Sequence, residues 1–465
     1  MDFGDDFEDD FEGDLKDEEY WKNLSESLKS NTSQKQLVLS IDMNSMQIIS
    51  ESLKSNQSLE ILTIKSIKDN QAAHLLSEAL KSNTHLREIF FEETDYDESV
   101  TSVFGFLKEN KTIKFIEFSG MDYEISSDER IRSDFFRNLK ENKNLTVIIY
   151  HTQGMSLTNT RMLADHIKNN PNLISLSLYN NYLTSQILQK IIESICVNNS
   201  LKLLDLHDCE IRDDGLKQIC DLIGSCSSLV KLDMKNNSIS DRGIQIFSMF
   251  LKNNNTIKSV DFSMCGIDTK GIKALSEALK VNSTLEFLEL ESNELEEKQL
   301  YYLFDSLKYN TSLKALYLTD CLDDFTEIEN FSESLKTNNT LKHIHLSLPK
   351  KSYYKLYDIL KVNRSLVSIF CDLELSKEDE KIKYLLDCNS IEWKPKIHKT
   401  LSKCFKMSVF SFVCCVKILS RKFLFNIVRF VLFEIIKKID RKSFFELEFP
   451  ELSQLTSKRK REDIK

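Results

Sequence analysis

Apolar residues in this chain recur with two alternating rhythms. A short stretch with every second position apolar, as at Leu204 and Leu206, is followed by one in which Leu or Ile returns every three or four residues. The first rhythm predicts a strand and the second an amphipathic helix. The pair then repeats. The tetrapeptide [Leu/Ile]-Lys-x-Asn closes eleven of the helical stretches. From Asn142 to Asn338 its Asn register advances in steps of 28 residues, through Asn170, Asn198, Cys226 as a substitute, Asn254, Asn282 and Asn310. Marks at Asn31, Asn56, Asn83, Asn110 and Asn363 are less evenly spaced, which predicts shortened or inserted loops, one of them around Met121 to Asp128. Three residues after every mark but the first, where Gln34 stands, comes the first apolar residue expected of the next strand, from Leu59 to Leu366.

Residues 271 to 281 show the helical unit. Ile272, Leu275 and Leu279 share a face, while Lys273 and Glu277 point away as an i,i+4 pair of opposite charge. Lys in the last turn suits the negative end of the helix dipole, and Asn just beyond tolerates a left-handed backbone. The tetrapeptide therefore reads as a helix stop.

Each regular unit reads Leu-x-x-Leu-x-Leu-x-x-Asn/Cys-x-Ile/Leu, and the Asn/Cys position alternates through Asn181, Cys209, Asn237, Cys265, Asn293 and Cys321. A small polar group buried at that turn can satisfy backbone groups that the strand leaves unpaired. This spacing resembles leucine-rich repeats. The 28-residue length and the alternation are similar to the ribonuclease-inhibitor subfamily, which includes Ran GTPase-activating proteins and the sensor ends of NOD-like receptors. The resemblance implies an α/β fold: a right-handed solenoid bent like a horseshoe, with an inner parallel sheet and outer helices, over residues 20–388 and about 13 repeats.

In such a fold equivalent strand positions stack in rows about 4.8 Å apart on the inner face. The fifth position gives Ser177, Asp205, Asp233, Asp261, Glu289, Tyr317 and His345. The second gives Ile174, Lys202, Val230, Lys258, Glu286, Lys314 and Lys342, and the seventh Tyr179, His207, Lys235, Ser263, Glu291, Thr319 and Ser347. Stacked carboxylates repel unless they are solvated, offset by Lys or completed by a basic partner. Asp205, Asp233, Asp261, Glu289, Tyr179, His207, Lys235 and Tyr317 are thus the candidate partner-binding residues. A scaffold role for the acidic row is the competing reading.

Composition removes several classes of function. GxxxxGK[ST], GxGxxG, HExxH and GxSxG are all absent, and 10 glycines make a phosphate-cradling loop a poor expectation. A nucleotide-binding domain of the kind that precedes the repeats of NOD-like receptors is not found. His343 and His345 share a strand face but have no further ligand at metal spacing. No metal, cofactor or catalytic residue is expected. The 11 cysteines form no CxxC pair, so neither a zinc site nor a disulfide framework is anticipated, and reduced, cytoplasmic surroundings follow. No secretory leader is read at the start.

The net charge of −10 divides unevenly: residues 391 to 465 carry 18 Lys/Arg against 8 Asp/Glu, or +10, which leaves −20 for residues 1 to 390. Residues 1–19 hold 11 acidic residues and one Lys, the composition of a disordered acidic leader.

After about Cys388 the register stops, and residues 389–456 read as a helical cap or interaction module, followed by a basic tail at 457–465. The uncharged run Met407 to Val416 is 10 residues, half of what a bilayer needs, so no membrane span is expected. Residues 428 to 440 resemble the first helix of an F-box, with Leu432, Ile435, Ile436 and Ile439 as its docking face, although Val428 stands where that motif has Pro. Lys458 to Arg461 resemble a nuclear-import signal. Taken together, these features point to a non-enzymatic scaffold with a protein partner, of basic character, on the inner face and a second protein at the C-terminal helices; nucleic acid is not expected. Regulation of a small GTPase and substrate adaptation for a ubiquitin ligase are the alternatives.

Overall fold

The chain divides into two units, Met1–Glu374 and Leu375–Lys465. The computed structural model describes residues 17–370 apart from 31, 93–102, 120–128, 152–153, 225, 294, 296, 319–327 and 347–357. The acidic leader, Cys321, the C-terminal module with Leu432, Ile435, Ile436 and Ile439, and the basic tail lie outside the described residues.

Thirteen strands, from Gln36–Ile41 to Ser368–Phe370, pair in strict chain order in one open parallel sheet. Parallel neighbours require a crossover. Helices of 10 to 14 residues supply most of these, for example Ser185–Asn198, Asp213–Ile223, Asp241–Leu251 and Thr269–Leu279. In the repeat containing Gly105 the crossover is a 3-10 helix, Val103–Lys108. Leu204 faces Leu232, which faces Val260, which faces Leu288. This apolar row runs on through Leu316 and Ile344, each at most 1% exposed. Between the early strands, where the register is uneven, Phe91, Phe104, Phe118, Phe135, Phe136 and Tyr150 fill the interior with ring centroids 4.7–5.7 Å apart.

The tetrapeptide Asn does more than stop a helix. Asn56, Asn83 and Asn170 have φ between −62° and −104°, so the expected left-handed backbone is not adopted. Their side chains are buried and face the neighbouring repeat. Asn282 Nδ2 donates to the carbonyls of Leu251 and Asn254, while its Oδ1 accepts from the N–H groups of Thr284 and Leu285. The carbonyls of Leu279 and Asn282 then accept from Asn310 Nδ2, and those of Leu307 and Asn310 from Asn338 Nδ2. The motif's Leu and Asn are acceptor and donor of one continuous ladder. At Asn170 the rung is modified, because the buried His166 imidazole takes the Leu139 carbonyl. The Leu three residues after each Asn lies in the turn, two residues ahead of the strand: Leu201 precedes Leu203–Asp205, and its N–H is bound by Asn198 Oδ1.

A second ladder follows the strands. Asn237 Nδ2 donates to the carbonyls of Leu206, Met234 and Lys235, and its Oδ1 accepts from the N–H groups of Cys209 and Ile211. Asn293 makes the same set with Phe262, Leu290, Glu291, Cys265 and Ile267. Cys209 and Cys265 instead offer Sγ to the carbonyls of Leu178 and Met234. The alternation marks two backbones. The residue before the Asn/Cys position has positive φ in both types (Asn180, Asp208, Asn236, Met264, Ser292), but Glu210 and Gly266 add a second left-handed residue after Cys, which Tyr182 and Ser238 after Asn do not.

Two sequence readings are corrected. Glu277 pairs with Lys280 at 2.9 Å, while Lys273 Nζ lies over the Tyr302 ring of the next repeat, because a solenoid places neighbours across repeats within reach of long side chains. The cysteines do include a disulfide, Cys196–Cys226. Rules of cysteine spacing miss it because a separation of 30 residues is close to one repeat, which stacking turns into adjacency.

Candidate functional site

Residues at alternate strand positions leave the core and form the face of the sheet away from the helices. Pairing register places Ser177, Asp205, Asp233, Asp261, Glu289, Tyr317 and His345 side by side in a single row. The row is chemically uneven. Asp205 accepts from Ser177 Oγ at 2.6 Å and from His207 Nδ1 at 2.8 Å. Burial raises the Asp205 carboxyl, but the hydrogen bonds from His207 and Ser177 outweigh it and hold it below the usual value. The Asp205 bond in turn raises the His207 imidazole.

Asp233, Asp261 and Glu289 make no ion pair among the described residues, and Asp261 is 6% exposed. Burial, followed by repulsion from Asp261, pushes Asp233 up to about 6 and Glu289 to about 7. The backbone N–H groups of Lys235 and Ser263 cap Asp233 and Asp261 but bring no full charge. The second-position row is different. Glu286 there pairs with Lys258 at 3.1 Å and closely with Lys314, and the hydrogen bond from Lys314 leads in lowering its carboxyl.

Beside the acidic row, Tyr179 stacks between His151 and His207 with centroids 4.5 and 4.6 Å away. Tyr317 packs against His345 with centroids 4.4 Å apart and the rings tilted by 57°. Lys235 lies next to His207 in the seventh-position row, whose Thr319 and Ser347 fall outside the described residues. The candidate residues Asp205, Asp233, Asp261, Glu289, Tyr179, His207, Lys235 and Tyr317 thus share one continuous face. Sequence reasoning missed a fourth row, Ser175, Leu203, Lys231, Ser259, Phe287, Ala315 and His343, which lies between the second- and fifth-position rows on the same face. Counting alternation backwards from Asp205 finds it, and it supplies Lys231, which moderates Asp233 and Glu289, and the exposed Phe287.

Asp205, His207 and Asp233 each bring one ligating atom to within 4.8 Å of the others, the one such group among the described residues. An ion there would compete with the hydrogen bonds that already occupy Asp205. Cys209 points into the turn, where its Sγ meets the backbone carbonyls of Leu178 and His207, and burial pushes its thiol up to about 12.

The family model for leucine-rich repeats matches residues 197–220, 225–247 and 253–276. These are leucine-rich repeats. The thirteen parallel strands, in chain order with crossover helices, have the architecture of a leucine-rich-repeat solenoid. No curated protein matches the sequence. Among solved structures it is similar to the leiomodin-1 actin-binding site 2, at 18% identity over 41% of this chain and 95% of that one, with a TM-score of 0.28. A Bacteroides fragilis protein is similar at 13% identity over 56% and 75%, with a TM-score of 0.40. The yeast Rad7 and Elc1 complex is similar at 16% identity over 72% and 85%, with a TM-score of 0.44. Among the described residues no helix is long and apolar enough to cross a membrane.

Proposed function

We propose that this solenoid is a protein-interaction scaffold that captures a basic segment of a partner protein across Asp233, Asp261 and Glu289. The supporting observation is the contrast within one face: Glu286 pairs with two lysines, while the three neighbouring carboxylates make no ion pair among the described residues and Asp233 and Glu289 are only moderated by Lys231. Buried carboxylates with raised pKa values gain when an external cation arrives, since the attraction acts in a partly desolvated setting. A strip of Lys or Arg fits a row of acids spaced by one strand. Tyr179, His207, Lys235 and Tyr317 flank that row and would frame the bound segment. We read the Asn/Cys alternation as the ribonuclease-inhibitor-like type of repeat. Residues 389–456 are proposed to dock a second protein through Leu432, Ile435, Ile436 and Ile439.

The test is titration of the full chain with a lysine-rich peptide and with a peptide of equal length in which Gln replaces Lys. The reading expects saturable binding of the first alone, weakened by salt and lowered at least tenfold by the triple change Asp233→Asn, Asp261→Asn and Glu289→Gln. Equal affinity for the triple variant and the parent chain would overturn it.

A further inference from the structure

We propose that Cys196 and Cys226 form a reversible thiol–disulfide site that replaces, by a covalent bond, a missing rung of the first asparagine ladder. Cys226 occupies the rung position where Asn198 and Asn282 stand in other repeats, and a thiol has neither the two amide donors nor the strong acceptor of a carboxamide. The loss shows locally. Asn198 Oδ1 accepts from Ser200 N–H and Oγ, whereas the equivalent Ser228 Oγ is buried without a partner. Asn254, the next rung, donates through Nδ2 only to Thr256 Oγ1 and not back across the repeat. Cys226 Sγ carries no hydrogen in the disulfide, so no hydrogen bond from it crosses the seam.

The compensation sits one repeat earlier. Ile195-Cys-Val-Asn198 carries Cys where all eleven helix-closing [Leu/Ile]-Lys-x-Asn tetrapeptides carry Lys, and that Cys196 is the residue bonded to Cys226. Both departures from the motif therefore fall on the same seam. The other cysteines nearby suit no exchange: Cys209, Cys220 and Cys265 are buried and their thiols are pushed up to about 12 by burial. Cys196 is half-buried and is the sulfur that an incoming disulfide meets first, while Cys226, 4% exposed, lines a cleft with Gly224, Ser227, Phe250 and Asn254. The chemistry requires a small disulfide such as oxidised glutathione. The two protein thiols give up two protons and two electrons, one S–S bond forms between Cys196 and Cys226, the S–S bond of glutathione disulfide breaks, and two glutathione thiols leave. The seam closed in this way joins the strands that carry Asp205 and Asp233.

The full chain is equilibrated with oxidised glutathione or with dithiothreitol, digested without reduction for peptide mapping, and followed by amide hydrogen exchange over residues 199–235. The inference expects a Cys196–Cys226 linked peptide in the first buffer, and a fall in protection on the order of tenfold or more in the second. Cys226→Asn restores the rung and should make protection independent of redox state. Cys196→Ser leaves the rung position untouched and should give the low, reduced-state protection in both buffers. Absence of the linked peptide, or protection in the parent chain indifferent to reduction, would overturn it.

Discussion

His166 Nδ1 donates to the carbonyl oxygen of Leu139 at 2.8 Å, filling with an imidazole the acceptor that Asn carboxamides take at the neighbouring rungs. Nε2 then faces Asn170 Nδ2 at 3.2 Å as an acceptor, so this ring is needed in its neutral form. Burial lowers its pKa to about 4. Between pH 6.5 and 4 the unfolded chain takes up a proton that the folded one refuses, and stability falls as pH falls through that window. Denaturant melts should lose on the order of 3 kcal/mol between pH 7 and 4 from this residue. His166→Gln should flatten that part of the profile; an unchanged slope would remove His166 from the ladder.

The acidic row carries the opposite sign. Asp233 and Glu289 titrate near 6 and 7 when folded, so the folded chain binds more protons than the unfolded one between about pH 4 and 7. Their contribution to stability therefore grows as pH falls from 7 towards 4, against that of His166. At pH 7.5 Asp233→Asn should raise the thermal midpoint by about 1–3 °C, and the gain should shrink at pH 5. A midpoint that falls at pH 7.5 would assign Asp233 to the scaffold.

Removal of one rung should be costly. Asn282→Ala deletes the hydrogen bonds to Leu251, Asn254, Thr284 and Leu285 at a buried site and leaves the Leu285 N–H unsatisfied. A loss of about 2–4 kcal/mol in urea melts is expected, against less than about 0.5 for the neighbouring Ser283→Ala. Similar small losses for both would mean that the ladder contributes little.

One position should improve. Met264 is exposed and holds φ near 55°, where the equivalent residues of two other repeats are Asn180 and Asn236. A left-handed backbone costs a long side chain more than it costs Asn. Met264→Asn should stabilise by about 0.5–1 kcal/mol in the same melts, and a destabilised variant would show that the Met side chain has contacts worth more than the strain.

These outcomes separate what the sequence makes legible from what it hides. The period, the strand rows and the Asn/Cys turn could be read directly, because burial of Leu176, Leu204 and Leu232 on one side of a strand imposes a spacing that shows in one dimension. The role of the tetrapeptide Asn was only half legible. Its backbone position follows from helix ends, but its side-chain partners belong to another repeat, and a local rule cannot see Leu251 from Asn282. The same blindness hid the Cys196–Cys226 pair and the reach of Lys273 to Tyr302. The acidic row was visible as letters, whereas the contrast between bare Asp233 and saturated Glu286 depends on which lysines bend towards which strand.

Because Asn282, Asn310 and Asn338 each complete the coil before them, and the carbonyls of Asn282 and Asn310 are taken by the coil after, the natural unit of change in this stretch is one whole turn. Duplicating or excising 28 residues between Asn282 and Asn338 would let the cut ends find the same partners again. Excising a fraction of a turn would strand a carboxamide opposite the wrong carbonyl, so the ladder acts as a length gauge on how such a chain can grow.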